Sequence, residues 1–392
     1  MSYALLSAGF LVAAVLGGVL FSRAAGGSRP VLPAVAVAGV ALLVLTAVFD
    51  TLMIASGLFT YEESLVSGVR VGLAPVEDFA YPLAAVVALP ALWALLTRRR
   101  SVPAGVLLRH AWVASRPVSW VNTAFPFAAA MLLTTREIDW LLIVGTLYYL
   151  VPYNLAMYGI NDVFDYASDV QNPRKGGIEG ALLPPALHRP MLWLALAANL
   201  PFLIVLLAAG TPLSALAIAV STFALVAYSA PGLRFKERPG LDSLTSSAHF
   251  VTPAIVALAL AGARVDAGLL IALAAFFIWG VAAHAFGAVQ DIVPDREAGI
   301  GSIATAFGAA RTVRLALALW LLAGVLMLFA PWPGPLAAVV AVPYLVNCAP
   351  YVRVPDAGSA RTNRAWRRFI WLNYFSGFLV TLILILFWSV SS

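Results

Sequence analysis

Apolar runs long enough to cross a lipid bilayer recur along the whole 392-residue chain. Such a run needs about 20 residues, because a helix must span a hydrocarbon layer about 30 Å thick. With 62% hydrophobic and only 11% charged residues, the chain is predicted to be an all-α polytopic membrane protein. The twelve runs lie near residues 3–22, 33–57, 77–97, 117–133, 140–160, 190–208, 213–230, 244–262, 268–288, 313–330, 335–351 and 369–389.

A basic stretch separates the third run from the fourth. It extends from Arg98 through Arg109 to Arg116 and is the only extended basic stretch between runs. Because domain boundaries fall in polar linkers, we place one near residue 105. The prediction is a three-helix membrane domain over residues 1–104 and a nine-helix bundle over residues 105–392.

The basic residues favour one side of the membrane. If the twelve runs alternate in direction, 21 of the 24 Lys and Arg residues fall on one side, and only Arg70, Arg136 and Arg264 fall on the other. The positive-inside rule makes the rich side cytoplasmic. The net charge of +6 is therefore a topology signal and does not indicate a nucleic-acid partner. A single cysteine, Cys348, excludes an internal disulfide and a cysteine-rich zinc site.

Three aspartates, Asp162, Asp165 and Asp169, follow the fifth apolar run. Their spacing of i, i+3 and i+7 places the three carboxylates on one face of a helix. Oxygen ligands at this density suit Mg²⁺, which binds carboxylates, water and the phosphates of a substrate. The alternative is a solvated helix end with capping acids.

A second acidic stretch, with Asp291 and Asp295, follows the ninth run and falls on the same side of the membrane. The two clusters are therefore predicted to face each other and to share Mg²⁺. Such an ion would neutralise a pyrophosphate leaving group while its carbon–oxygen bond breaks. Pro294 interrupts the second stretch, so Asp291 and Asp295 need not lie on one helical face.

Cationic and polar side chains beside the clusters are candidates for binding the substrate. Cations suit phosphate oxygens, and aromatic rings suit a developing carbocation. The alternative for the cations is that they are loop charges that set topology. The predicted substrate-binding residues are Asn122, Tyr158, Asn161, Arg174, Lys175, Tyr228, Arg234 and Lys236.

The segments 159–180 and 291–299, with Asn-Asp-Val-Phe-Asp-Tyr-Ala-Ser-Asp and Asp-Ile-Val-Pro-Asp, resemble the aspartate-rich motifs of the UbiA superfamily of membrane prenyltransferases. Within it they are similar to the lycopene elongases of C50 carotenoid pathways. The resemblance covers about residues 105–392. It implies nine helices and Mg²⁺-dependent ionisation of dimethylallyl diphosphate. The allylic cation would add to the end of lycopene in the bilayer, and proton loss would then give C45 or C50 carotenoids.

Acids at the ends of the amino-terminal runs suggest a second chemistry. Phe49-Asp50, residues 57–61 and Pro75-Val76-Glu77-Asp78-Phe79 resemble the small three-helix subunits of heterodimeric lycopene cyclases, although Asp78 stands where Glu is commoner. Acids at membrane depth are costly and usually functional, so Asp50, Glu77 and Asp78 are candidate proton donors to a polyene. The alternative is that Glu77 and Asp78 are helix-start acids favoured by the dipole. Such cyclases use two subunits, so a second cyclase subunit is expected as a partner.

Two other functions stay open at this point. The same metal site would serve prenylation of an aromatic, quinone or chlorophyll-type acceptor. A secondary transporter also has many spans and interrupted helices, but its site is expected at mid-membrane. The aspartates here cluster at one membrane interface instead.

Overall fold

The computed structural model describes residues 2–24, 32–97, 103–170 and 181–390. Within these ranges, twelve helical segments are long and apolar enough to cross a membrane. The first is Tyr3–Ala24 and the last Asp356–Val390, and they correspond to the twelve runs counted in the sequence. The prediction of a helical polytopic membrane protein is confirmed.

The chain divides into two compact units, Met1–Val102 and Pro103–Ser392. The first unit holds three helices and a two-stranded hairpin that sequence patterning did not predict. Gly72 turns the hairpin with φ +66°, and a Cβ there would meet Thr51 Oγ1 at 2.5 Å, so only glycine fits. The elements are α1 (Tyr3–Ala24), α2 (Leu32–Ala55), β1 (Arg70–Val71), β2 (Ala74–Pro75), a 3₁₀ turn (Val76–Phe79) and α3 (Ala80–Thr97).

The second unit is a helical bundle in which short helices occur between some of the long ones. The helices are α4 (Ala104–Ala114), α5 (Val121–Thr135), α6 (Trp140–Leu150), α7 (Pro152–Phe164), α8 (Tyr166–Asp169), α9 (Pro185–Ala209), α10 (Pro212–Ser229), α11 (Leu241–Leu260), α12 (Ala267–Val289), α13 (Ile292–Glu297), α14 (Ile303–Phe307), α15 (Ala309–Met327), α16 (Ala341–Cys348) and α17 (Asn363–Val390). The 3₁₀ turns are Pro117–Ser119, Phe235–Glu237, Gly334–Val340, Ala349–Tyr351 and Asp356–Thr362.

Aromatic side chains fill the core between α12, α15, α16 and α17. Trp320 and Tyr344 are fully buried, and their rings stack with centroids 5.5 Å apart. Phe369 packs on the same cluster at the start of α17. These contacts fix the last helix against α12, the helix that leads to Asp291.

Breaks in the spans bring polar groups to defined places. The span Trp140–Phe164 is interrupted at Val151, where Pro152 begins α7 because it has no N–H to donate. The break leaves carbonyls in the last turn of α6 without helical partners. Asn154 Nδ2 donates to two of them, Tyr149 O at 2.8 Å and Leu150 O at 3.1 Å, so they are satisfied inside the bundle, as a hydrocarbon surrounding requires.

Gly145 of α6 tests the packing of this bundle, because a Cβ there would overlap the ring of the buried Phe127 on α5. We expect Gly145→Ala to destabilise the second unit by roughly 1–3 kcal/mol through overpacking. Thermal unfolding in detergent micelles measures the effect. Gly377→Ala is the matched control, because nothing lies within 4 Å of its Cβ position and alanine favours a helix. Equal midpoints for the two variants would contradict the described packing.

Candidate active site

Asp162 is fully buried near the end of α7 and bonds to two other segments. Arg116 donates to its Oδ1 at 3.1 Å, and the Ala181 N–H donates to its Oδ2 at 3.3 Å. The Arg116 guanidinium also lies 4.2 Å from the Tyr158 ring centroid. Burial opposes the charge of Arg116, but Asp162, Tyr158 and Asp169 together outweigh it and raise the pKa of Arg116. The ion pair joins α7 to the turn before α5.

Asp165 lies between α7 and α8 and is also buried. Asn161 donates to its Oδ2 at 2.8 Å and to Ser229 Oγ on α10 at 3.0 Å. Lys236 forms an ion pair with Asp165 Oδ1, and Arg234 Nη2 lies 3.9 Å from the same oxygen. Burial lowers the pKa of Lys236 to about 8, against the pull of neighbouring carboxylates.

The first aspartate motif differs from the single helix that its spacing predicts. α7 ends at Phe164 and α8 carries Asp169, so the helix is interrupted at Asp165. Backbone bonds from Asp165 N to Asn161 O (2.9 Å) and from Asp169 N to Asp165 O (2.8 Å) continue the helical path. The three carboxylates still occur one turn after another, and all three are buried.

The second motif is more regular than Pro294 suggested. Asp291 precedes α13, and the Asp295 N–H donates to the Asp291 carbonyl at 2.8 Å. Pro294 lies in the first turn of α13, where a missing N–H leaves no bond unmade. Asp291 and Asp295, both half-buried, are therefore one helical turn apart.

Lys236 and Tyr228 lie between the two motifs. Lys236 is within electrostatic range of both Asp162 and Asp295, and Tyr228 is within range of Arg116 and Asp295. The turn between α10 and α11 therefore carries a cation whose charge interacts with an acid of each motif. A site with carboxylates and cations side by side suits a metal–phosphate ligand.

The donor set fits Mg²⁺ in chemistry, since it consists of carboxylate oxygens held in a buried place. In the ranges that the structure describes, no three His, Cys, Asp or Glu side chains are arranged to hold a metal ion. Arg116 and Lys236 supply the positive charge that Asp162 and Asp165 need. Carboxylate oxygens that already accept bonds keep further lone pairs for a cation.

For the other three predicted substrate-binding residues, the structure gives no contact with the aspartate motifs. Arg174 and Lys175 lie outside the described residues. Asn122 is half-buried in the first turn of α5 and forms no hydrogen bond within the described part of the chain.

Sequence reasoning missed three polar residues of this region. The sequence interpretation makes Arg116 a boundary charge, whereas the structure places it in a left-handed turn with φ 50°, directly before Pro117. His284 Nε2 is 3.1 Å from the Tyr228 hydroxyl, and His284 Nδ1 is 3.0 Å from Ser243 Oγ. Asp242 is fully buried and accepts the N–H of Ile303 at 2.7 Å. Asp242 follows a Pro-Gly turn, which was the one available signal.

The candidate acids of the first unit lie in α2, which holds Asp50, and in the 3₁₀ turn before α3, which holds Glu77 and Asp78. The Tyr61 hydroxyl donates to Asp78 Oδ2 at 2.6 Å, and burial together with Asp78 raises the pKa of Tyr61. Asp50 is within electrostatic range of Asp78. Glu77 is only 6% exposed; its Oε1 accepts the Ser67 N–H at 2.6 Å, and its Oε2 is buried without a hydrogen-bond partner.

The model of the UbiA prenyltransferase family matches residues 123–373. The chain belongs to the UbiA prenyltransferase family. The C(50) beta-cyclic carotenoids biosynthesis protein LbtBC of Dietzia sp. is 49% identical, over 89% of this chain and 89% of that protein. The lycopene elongase/hydratase of Corynebacterium glutamicum is also 49% identical, over 71% of this chain and 97% of that protein.

Solved structures were compared as well. A UbiA homologue from Archaeoglobus fulgidus, bound to DMAPP and Mg²⁺, has a TM-score of 0.49 and 20% sequence identity. That likeness covers 68% of this chain and 98% of the homologue.

The Arg116–Asp162 pair yields a stability test. Arg116→Met removes a hydrogen-bonded cation from a fully buried carboxylate, so we expect a loss of roughly 3–5 kcal/mol. Adding Asp162→Asn should recover part of the loss, because the side chain at position 162 is then neutral. Thermal unfolding in micelles measures both variants.

The matched control is Arg296→Met. Arg296 pairs with Asp356 at 2.7 Å, with both side chains more than a third exposed, so its removal should cost less than about 1 kcal/mol. If Arg116→Met proved no more destabilising than this control, the pair with Asp162 would not be a buried one.

Proposed function

We propose that the chain is a carotenoid prenyltransferase, a lycopene elongase that transfers dimethylallyl groups from dimethylallyl diphosphate to the ends of lycopene. The products would be C45 and C50 carotenoids. The observation that carries the proposal is the 49% identity to a lycopene elongase/hydratase over 97% of that protein's length. Family membership by itself supports only prenyl transfer.

The buried aspartates support a diphosphate site. Mg²⁺ bound by Asp162, Asp165, Asp169, Asp291 and Asp295 would supply the Lewis acidity that stabilises a departing pyrophosphate. Lys236 and Arg234 bind phosphate oxygens and hold the leaving group. They are the cations that the described residues place beside Asp165, and Arg174 and Lys175 are expected to join them.

Asn161 has a positioning role in this mechanism. It donates to Asp165 and to Ser229, so it fixes the carboxylate relative to α10 beside the expected substrate. Tyr158 and Tyr228 present aromatic rings near the same charges. Their π faces stabilise an allylic cation after the carbon–oxygen bond breaks.

The transfer then proceeds through a second cation. The π electrons of the terminal double bond of lycopene form the new carbon–carbon bond, which leaves a tertiary cation on the acceptor. Loss of an adjacent proton restores a double bond. The name elongase/hydratase of the relative favours a second outcome, in which water adds to the cation and a proton leaves from the bound water. The elongated product and its hydrate differ by one water molecule in mass.

We also propose on which side of the membrane the two aspartate motifs lie. Both aspartate motifs are predicted to be cytoplasmic from the distribution of Lys and Arg. A water-soluble diphosphate would then reach them from the cytosol, while lycopene approaches through the bilayer.

Asp165→Asn tests the elongase in a bacterium that produces lycopene. We expect elongated carotenoid to fall roughly 100-fold or more, because a carboxylate that holds metal and cation is lost. Chromatography with mass spectrometry measures the pigments. Asp266→Asn is the control, since Asp266 caps α12 through the Leu269 N–H and asparagine caps equally well.

Two outcomes of that experiment count against the proposal. Elongated pigment that persists in Asp165→Asn would remove the aspartate from the mechanism. If the wild-type chain left lycopene unchanged, lycopene would not be the acceptor. Prenylated quinones or other aromatic lipids would then be analysed.

For the first unit we propose a part in ring formation. The LbtBC match covers 89% of this chain and so extends beyond the second unit, which is about three quarters of the residues. The name of that relative refers to beta-cyclic C50 carotenoids. The buried Glu77, with an unpartnered carboxylate oxygen, supports a proton donor, and Asp50 and Asp78 lie in the same unit. A second cyclase subunit remains the predicted partner.

Glu77→Gln tests the cyclase part, because glutamine keeps the shape of the side chain but has no acidic proton. Coexpressed with a cyclase partner in a lycopene-producing host, the variant should accumulate acyclic C50 carotenoid in place of cyclic product. Glu63→Gln is the control, since Glu63 is exposed and pairs only with Arg70 at 2.5 Å. Undiminished ring formation in Glu77→Gln would assign the proton to another group.

A further inference from the structure

A cavity of about 440 Å³, open to the surface and lined by a single stretch of chain, lies at the start of α17. Its lining is almost wholly cationic: four of its six residues are arginines. The lining residues are Ala360, Arg361, Asn363, Arg364, Arg367 and Arg368. No acidic side chain is among them.

The four arginines are exposed and have no ion-pair or hydrogen-bond partner within the described part of the chain. Three other arginines of the second unit are paired with acids. Arg116 pairs with Asp162, Arg234 with Glu237 and Arg296 with Asp356. Four like charges around one cavity repel each other, and an anion in the cavity relieves that repulsion. A charge that only sets topology needs no such cavity.

The cavity lies where a polar helix start becomes a membrane span. After Arg368, α17 continues as an apolar segment to Val390. Trp371 is 73% exposed and Phe375 52% exposed, about one and two turns beyond the arginines. Aromatic side chains in such a place mark the membrane interface, and clusters of basic residues beside a span attract anionic lipids.

The stretch of chain that lines the cavity contacts the end of α12, directly before the second aspartate motif. Asn363 donates to Gln290 Oε1 at 2.6 Å, and Gln290 in turn donates to the Gly287 carbonyl at 3.0 Å. Trp366 packs directly on Gly287, where an added Cβ would lie 2.9 Å from its ring. Gln290 immediately precedes Asp291.

We infer that this cavity binds the phosphate of an anionic phospholipid headgroup and that the bound lipid steadies the segment 287–291. The arginines contact the phosphate oxygens, and the acyl chains follow the face of α17 that exposes Trp371 and Phe375. Free phosphate or pyrophosphate offers the same oxygens, but neither uses this apolar continuation. The inference does not depend on which acceptor the enzyme prenylates.

Lipid retention tests the inference. The full chain is reconstituted in nanodiscs of phosphatidylcholine with phosphatidylglycerol, and native mass spectrometry counts the phosphatidylglycerol that stays bound after extraction. The test variant carries Gln at Arg361, Arg364, Arg367 and Arg368. The control carries Gln at four exposed arginines elsewhere in the second unit, Arg109, Arg189, Arg311 and Arg353, so that both variants lose the same charge.

We expect the wild type and the control to retain phosphatidylglycerol at least about tenfold more than the test variant. Hydrogen exchange of residues 287–298 should also slow when phosphatidylglycerol is present, in the wild type and the control but not in the test variant. Equal retention by test and control variants would overturn the inference. So would displacement of the lipid from the wild type by inorganic pyrophosphate, which would indicate a site for free phosphate.

Two further comparisons test the inference if the fourfold variant fails to fold. The wild type can be compared in phosphatidylcholine alone and with phosphatidylglycerol, and an Arg→Lys set at the same four positions keeps the charge. Retention that is equal for both lipids in the wild type would reject a site for anionic headgroups. Retention that survives in the lysine set and is lost at high salt would support it.

Discussion

Burying a carboxylate at the end of a membrane span requires a counter-charge and hydrogen bonds for its oxygens. Asp162 and Asp165 obtain theirs from parts of the chain that are far apart in sequence. Arg116 comes from the turn before α5, Ala181 from the segment before α9 and Lys236 from the turn between α10 and α11. Because these two carboxylates need partners, they fix the relative positions of the three connecting segments that supply them.

The same end of the molecule depends on backbone groups that helix breaks expose. The interruptions at Asp165 and Gln290 each let a polar side chain lie next to a helix terminus. Asp242 satisfies three such backbone groups at once. Its carboxylate accepts hydrogen bonds from the N–H groups of Gly240, Ser243 and Ile303. That carboxylate joins the start of α11 to α14 and is part of the scaffold around the site.

Much of the architecture could be predicted from the sequence because hydrocarbon imposes one simple rule on it. Twelve apolar runs predict twelve spans, and the i, i+3, i+7 spacing predicts a cluster of acids whose three members are indeed buried. Partners that come from distant segments could not be predicted. Nothing local distinguishes Arg116, which bonds to Asp162, from Arg109, which is exposed.

Local signals also failed where tertiary packing decides the outcome. Pro294 suggested an interruption, but its place in the first turn of α13 makes it compatible with the helix. The hairpin at residues 70–75 has strands of two residues each, too short to show any alternation of apolar and polar positions. Asn122 carried no pattern of its own, and its prediction as a binding residue has no contact to support it.

The contact between Gly287 and Trp366 joins two positions that are 79 residues apart in the sequence. An indole ring fills the space that any side chain at position 287 would need. A substitution at one position therefore requires a change at the other. A chain that acquires a side chain at position 287 needs a smaller residue at position 366, or α17 must separate from α12. Among related proteins the two positions should covary, as a small–large pair that exchanges size between two neighbouring helices.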